Sequence, residues 1–374
     1  MEETKTNFSR TDTKLIKGLA VIFMFMHHLW TFPDRIPLAY PIKWPSPAFK
    51  INGWSGIQAL GAMGQFCVGL FMFLGGYGLY KQYASGHLNL AKKVGGLYAS
   101  LWKVFVVFIP IGFLFFSNQT QYCASNLWRC YRTFRTKEFL LNLFAVETTY
   151  NPEWWFFIDY LYALFLGYLF IKATERVQDF YKEAFIVSMI VFASIQLFPS
   201  LCATYAPLQR VQNSFLCNRL LILNPSTGAF FSGITCAKYK VLDKAKLKTS
   251  TKPMWFVLLC SAFSASAVYY LRTISFERAY DFLFAPLFTI SILPWLSLPV
   301  CRTIFSFIGT HSTTAWLTHS FFCYYFEPFV KLVFCSQNAL ISLAVLTAIT
   351  IAVSAVLDFL WKKIPFPVPS RVSL

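Results

Sequence analysis

Residues 17–28 read Lys-Gly-Leu-Ala-Val-Ile-Phe-Met-Phe-Met-His-His, and the apolar stretch that contains them runs over 15–32. An apolar run of about 17–25 residues crosses the hydrocarbon core of a bilayer as a helix. This one has a basic lead, Lys14 and Lys17, yet it contains His27 and His28 and lacks a small-residue cleavage site. It therefore reads as a membrane anchor, not as a cleaved signal peptide.

Working outward, the whole chain has the same character. Of its 374 residues, 56% are hydrophobic, 19% aromatic and only 13% charged. A soluble domain carries about 25% charged residues, so roughly half the usual solvating surface is missing. Forty-two Phe, 19 Tyr and 11 Trp exceed what one water-soluble core buries. A soluble enzyme, a disordered chain and a disulfide-knotted secreted module are excluded. Ten apolar stretches follow along the sequence: 15–32, 56–80, 97–116, 154–172, 184–205, 220–238, 254–271, 282–300, 303–326 and 339–360. The sixth is interrupted by Asn224-Pro225, and the ninth is rich in Ser, Thr and His. The fold class is all-α: a polytopic integral membrane protein of about ten transmembrane helices in one bundle. No fixed-period repeat or linker divides it, so residues 1–374 read as a single domain with a short N-terminal segment, 1–14, and a tail, 361–374.

The net charge of +17 fits this picture better than it fits nucleic-acid binding. Basic residues hold cytoplasmic loops inside, and placing both termini in the cytoplasm puts most of the 33 Lys and Arg there, including the cluster Lys238, Lys240, Lys244, Lys246, Lys248 and Lys252. The exception is the long segment 117–153, which carries Arg129, Arg132, Arg135 and Lys137 on the outer side. The location expected is the cytoplasmic membrane. The ten Cys include no CxxC pair, and no Cys/His cluster has zinc spacing. Cys123, Cys130, Cys217 and Cys335 fall on or near the outer side, where a Cys123–Cys130 disulfide is conceivable. No metal is called for.

Ionisable residues inside a span cost about 2.5–3.5 kcal/mol on insertion scales and so point to function. Lys17 and His28 are 11 residues apart, which at about 100° per residue puts them within about 20° of one helix face and roughly 16 Å apart along the axis. Lys17 then sits at the cytoplasmic rim and His28 near the midplane of the same stripe. A rim cation can hold a phosphate, and a neutral imidazole half a membrane deeper can act as base or nucleophile. The extended pantetheine arm of coenzyme A has about that reach. His27 points about 100° away. In the ninth stretch, Ser312 and His319 are seven residues apart and share a face, so this helix reads as lining a cavity. Gly61, Gly64, Gly69, Gly75, Gly76 and Gly78 crowd the second stretch, where glycine favours close helix packing. Lys92-Lys93 either binds coenzyme phosphates or lipid headgroups or simply enforces topology.

In this order, these segments resemble the acyltransferase-3 family of multi-pass membrane acyltransferases. Residues 17–28 are similar to the family's opening motif: a basic residue, ten positions, then histidine. Phe71-Met-Phe-Leu-Gly-Gly-Tyr77 resembles its second-helix signature, and Lys92-Lys93, followed by Tyr98 and Trp102, occupies the place of its paired arginines. Trp154-Trp155-Phe-Phe-Ile-Asp159 resembles its fourth-helix tryptophan segment. Ile308-Gly-Thr-His311-Ser312 through Trp316-Leu-Thr-His319 resembles its closing motif. The resemblance covers about 12–360 and is to the standalone form, without a fused SGNH-type esterase domain. Lys17 stands where Arg is usual, Gly75 where Ser is common, Lys92-Lys93 for Arg-Arg, and Gly96 and Ala99 where an Arg and a Pro are expected. Lysine holds phosphate as a point charge, without the bidentate geometry of arginine.

The resemblance implies O-acyl transfer, usually of acetyl, from a cytoplasmic acyl-CoA to a hydroxyl of a cell-surface carbohydrate or its lipid-linked precursor. Acyl-CoA is then a donor substrate, and no cofactor is bound permanently. His28 would be the general base or would carry the acyl group transiently. Lys17, Lys92 and Lys93 would hold the coenzyme. His27, Tyr77, Trp155, Asp159, His311, Ser312 and His319 would line the acceptor side. The partners expected are acyl-CoA, a carbohydrate or glycolipid acceptor and the bilayer, with no nucleic acid. The rival reading is a transporter or flippase for a lipid-linked sugar. Pro286 and Pro294 break the eighth stretch, as in such carriers, but no second half repeats the pattern.

Overall fold

The computed structural model describes residues 7–42, 50–51, 54–118, 130–213, 226–275 and 278–363. The described residues form helices α1 (Arg10–Trp30), α2 (Gly56–Gly64), α3 (Phe66–Ala84), α4 (Leu90–Phe115), α5 (Thr136–Leu143), α6 (Trp155–Ala173) and α7 (Phe180–Phe192). They continue with α8 (Phe198–Thr204), α9 (Ala206–Gln212), α10 (Thr227–Lys238), α11 (Val241–Ser250), α12 (Met254–Ser275) and α13 (Asp281–Leu296). The last four are α14 (Pro299–Thr310), α15 (Ser312–Ser320), α16 (Glu327–Phe334) and α17 (Ala339–Lys363). Lys50–Ile51 and Trp54–Ser55 pair as a two-residue antiparallel ribbon, β1 and β2. The helical architecture is what a bilayer demands, because a helix satisfies its backbone hydrogen bonds internally.

Seven described segments are long and apolar enough to cross a membrane: Gly56–Ala84, Leu90–Phe115, Pro152–Ala173, Phe180–Thr204, Met254–Ser275, Arg278–Leu296 and Ala339–Lys363. Each corresponds to one of the ten expected. The other three differ for identifiable reasons. α1 is one uninterrupted helix of 21 residues, but Lys14, Lys17, His27 and His28 make it too polar to qualify. The ninth stretch breaks at His311 and again in a π-helical turn, Phe321–Tyr325. The sixth is represented by the 12 residues of α10, and Asn224-Pro225 lies outside the described residues. Cys123, Cys217 and Arg129 lie outside them as well, and with them the Cys123–Cys130 pairing. The segment 117–153 holds one described helix, α5. The third stretch starts earlier than expected, so Lys92 and Lys93 occupy the first turn of α4 instead of a loop.

Large apolar side chains cover the outer faces of these helices. Phe263 is 77% exposed, Val300 71% and Leu340 70%, a surface suited to lipid and not to water.

Two compact units gather discontinuous pieces of chain: one from 1–20, 66–90 and 158–309, the other from 21–65, 91–157 and 310–374. The first is built on α3 and α10. A Cβ at Gly76 would overlap the Phe230 carbonyl, and one at Gly233 would overlap the Phe73 carbonyl, so glycine on both sides lets the two backbones touch. Around this pair lie two buried ionic clusters. Arg272 donates to Asp281 through Nε at 3.0 Å and Nη2 at 3.3 Å. Glu183, fully buried, accepts from Lys238 Nζ at 2.6 Å, Thr235 Oγ1 at 2.9 Å and Tyr239 Oη at 3.2 Å.

The second unit has an aromatic core. Phe108 stacks on Phe321 at 4.5 Å, and Trp154 Nε1 donates to the Leu317 carbonyl at 3.0 Å. Glycine matters here at one more contact. A Cβ at Gly64 would overlap the Phe23 carbonyl, so α2 lies directly against the turn of α1 that carries His27.

Candidate active site

The site lies in the second unit, where the last turn of α1 meets the segments around Glu153, His319 and Tyr324. His28 is 11% exposed. Its backbone carbonyl accepts the Tyr324 hydroxyl proton at 2.6 Å, and its Nδ1 lies 3.1 Å from the same hydroxyl oxygen. A tyrosine hydroxyl has one proton to give. Because that proton goes to the carbonyl, the Nδ1 contact is a hydrogen bond donated by the imidazole, and Nδ1 carries the ring proton. Nε2 is left with its lone pair, 3.7 Å from Glu153 Oε2.

Glu153 is 8% exposed, and its other oxygen accepts from Arg35 Nη1 at 2.8 Å. Arg35 lies over the Phe32 ring at 4.5 Å and over the Tyr324 ring at 4.9 Å. The turn that presents Glu153 is held from behind. Glu153 N–H donates to Asn151 Oδ1 at 3.2 Å, and the fully buried Asn151 exchanges hydrogen bonds with Ser320 at 2.8 and 3.0 Å.

His319 completes the cluster. It is fully buried, with its ring 4.7 Å from that of His28. Its Nδ1 donates to the Trp316 carbonyl at 2.7 Å, since a carbonyl only accepts. Its Nε2 therefore also carries a lone pair, and among the described residues it has no hydrogen-bond partner. Two imidazoles thus stand side by side, each locked by its Nδ1 proton with the basic nitrogen turned away from the lock. His27 is oriented differently: its Nδ1 lies 3.1 Å from the Gly61 carbonyl and 3.1 Å from Thr31 Oγ1, with its ring 5.3 Å from that of His28.

Of the residues singled out in the sequence, His27, His28 and His319 come together here. Ser312, 4% exposed, begins α15, the helix that carries His319 in its last turn. His311 belongs to another small cluster: its Nδ1 is 2.5 Å from Asp358 Oδ2, and Thr314 donates to Asp358 Oδ1 at 2.6 Å. Trp155 opens α6 beside Phe156, whose ring meets Trp316 at 5.4 Å. Lys92 is exposed, while Lys93 is 5% exposed, so the two lysines do not present their charges to one environment. Lys17, Tyr77 and Asp159 belong to the first unit. Lys17 and Asp159 are each 8% exposed, and Tyr77 packs on Phe8 at 5.1 Å.

The sequence reading did not select Glu153, Arg35, Tyr324 or Asn151. Glu153 left one signal: an acidic residue abutting Trp154 at the start of an apolar stretch, in a chain with only 16 acidic residues. Tyr324 and Arg35 left none, because both lie in aromatic or loop sequence whose partners are distant in the chain.

The model of the acyltransferase-3 family, an acyltransferase domain, matches residues 12–359. The chain belongs to the acyltransferase-3 family. No curated protein and no solved structure matches it. Membership makes the protein a membrane acyltransferase, and the match takes in every candidate site residue named above. For a membrane acyltransferase the His28 cluster has the required parts: a base with its lone pair exposed within the site, a carboxylate beside it and a tyrosine that fixes the tautomer.

Proposed function

We propose that the protein is an O-acyltransferase that moves an acyl group, acetyl in the simplest case, from a cytoplasmic acyl-CoA to a hydroxyl of a cell-surface carbohydrate or its lipid-linked precursor. The observation that carries this reading is the hydrogen-bonding of His28, which leaves Nε2 unprotonated beside a carboxylate anchored by Arg35. The acceptor hydroxyl gives its proton to His28 Nε2 as its oxygen attacks the thioester carbonyl. The negative charge of Glu153, 3.7 Å from Nε2, stabilises the imidazolium that forms. The carbon–sulfur bond then breaks, and the thiolate recovers the proton from His28. The products are free CoA and the ester. Tyr324, on Nδ1, orients the base, and Glu153, beside Nε2, balances the charge of the imidazolium without becoming protonated.

His319, whose Nε2 has no hydrogen-bond partner among the described residues, supports a role in receiving the acceptor hydroxyl. Trp155, His27, His311 and Ser312, all of the second unit, are assigned to the acceptor side, and Lys92 and Lys93 to the coenzyme phosphates. Family membership supports the transferase, and the choice of acetyl, CoA and carbohydrate is ours.

The test is thiol release from acetyl-CoA by the purified protein in liposomes, with and without sugar acceptors. Wild type releases CoA and His28→Ala does not, although the variant inserts and melts normally. Full turnover in His28→Ala would sink the assignment.

A further inference from the structure

The first unit contains a cavity of about 220 Å³ that the transfer chemistry does not use. It lies between the segment preceding α1, the basic helix α11, the start of α12 and the second half of α13. Phe8, Met254 and Leu293 give it apolar walls, and Lys246 and Lys252 stand among its lining groups. Thr289 lies deeper. It is fully buried, lines the cavity, and its hydroxyl has no hydrogen-bond partner among the described residues. A buried hydroxyl without a partner costs about 1–3 kcal/mol, so a ligand that satisfies it is favoured. From Ser297, also on the lining, back to Thr289 is eight residues of α13, or about 12 Å of depth at 1.5 Å per residue.

We infer that this cavity binds one anionic phospholipid. Its phosphate lies at Lys246 and Lys252, its glycerol backbone passes along Phe8, Met254 and Leu293, and an ester carbonyl accepts the Thr289 hydroxyl proton. Cations at one end, apolar walls beside them and one buried hydroxyl at depth are groups that the head and glycerol-ester region of a glycerophospholipid match. At about 30 Å³ per water molecule, the volume equals roughly seven waters. That suits the glycerol-ester region of a lipid and is too small for a whole coenzyme A. Lys246 is already tied to Asp12 at 2.7 Å, and Phe8 N–H donates to Asp243 at 2.5 Å. The occupant therefore rests on the clasp that holds the residues just ahead of α1, the helix that carries His28. The inference depends on the protein being in a membrane and not on the identity of its substrates.

The experiment is native mass spectrometry of the full-length protein in neutral detergent, titrated with phosphatidylglycerol or with phosphatidylcholine of the same chains. Wild type should bind one phosphatidylglycerol at least about tenfold more tightly than phosphatidylcholine, from about 1 kcal/mol per lysine at an anionic head. Lys252→Gln should weaken that binding about fivefold on the same scale, and Thr289→Val, which keeps the side-chain volume, should weaken it several-fold. Lys362→Gln, a charge change elsewhere, should leave it unchanged, and inorganic phosphate should not displace the lipid. Lipid-free Thr289→Val should melt no lower than wild type, because it removes an unsatisfied polar group. Should Thr289→Val fail to fold, the exposed Lys252 still provides the test. Equal binding of both lipids, equal effects of Lys252→Gln and Lys362→Gln, or displacement by phosphate alone would each overturn the proposal.

Discussion

His28 owes its reactive form to its own carbonyl. By taking the Tyr324 proton, that carbonyl obliges the imidazole to donate from Nδ1 and leaves Nε2 free to accept a proton. Tyr324→Phe removes the lock but no charge. It should lower kcat about 10- to 100-fold, with KM little changed, because a wrongly oriented base loses part of the 10²–10⁴-fold that general-base catalysis contributes. Glu153→Gln keeps the shape and the Arg35 contact but removes the charge that faces the imidazolium. We expect about a 10²-fold or larger fall in kcat, read from CoA release at saturating donor. A KM effect alone would assign Glu153 to binding instead.

At the scale of elements, the chain spends its irregularities on the site. The ninth stretch is not one helix because His311 interrupts it and the π-helical turn Phe321–Tyr325 follows α15. π-helical turns often mark functional positions, and this one carries Tyr324 to His28. Glycine placement is equally specific. Gly76→Ala or Gly233→Ala sets a methyl group against a backbone carbonyl of the facing helix, and such overpacking costs about 1–3 kcal/mol. Either variant should show a lower melting temperature, while Gly78→Ala, with open space around it, should show none of this loss. The buried Arg272–Asp281 pair behaves in the opposite way to its appearance. Arg272→Met alone strands a carboxylate and should cost about 3–5 kcal/mol, whereas Arg272→Met with Asp281→Leu should restore much of it.

For the molecule as a whole, orientation in the bilayer is open to a direct check. With both termini in the cytoplasm, a cysteine replacing the exposed Lys92 should react with an impermeant maleimide only from the cytoplasmic side. Labelling from outside would reverse the topology. Composition and hydropathy sufficed to read the membrane class and the helical fold, because backbone in hydrocarbon must be satisfied internally and continuous apolar runs of about 17–25 residues achieve that as helices. The family was legible from five short motifs, and His27, His28 and His319 from the cost of polar groups inside apolar runs. That reasoning extends only along one helix. The register of Lys17 and His28 follows from the helical repeat. Tyr324 meets His28 from 296 positions away and Arg35 meets Glu153 from 118, and no local pattern encodes either approach. Likewise, the sequence shows Lys92 and Lys93 as equals, and packing buries one and exposes the other. The sequence by itself determined the solvent and the helical class and singled out the His28 imidazole. Tertiary packing alone decided which nitrogen of that imidazole is basic and which carboxylate stands beside it, because proton position depends on neighbours that only the folded chain brings within 4 Å.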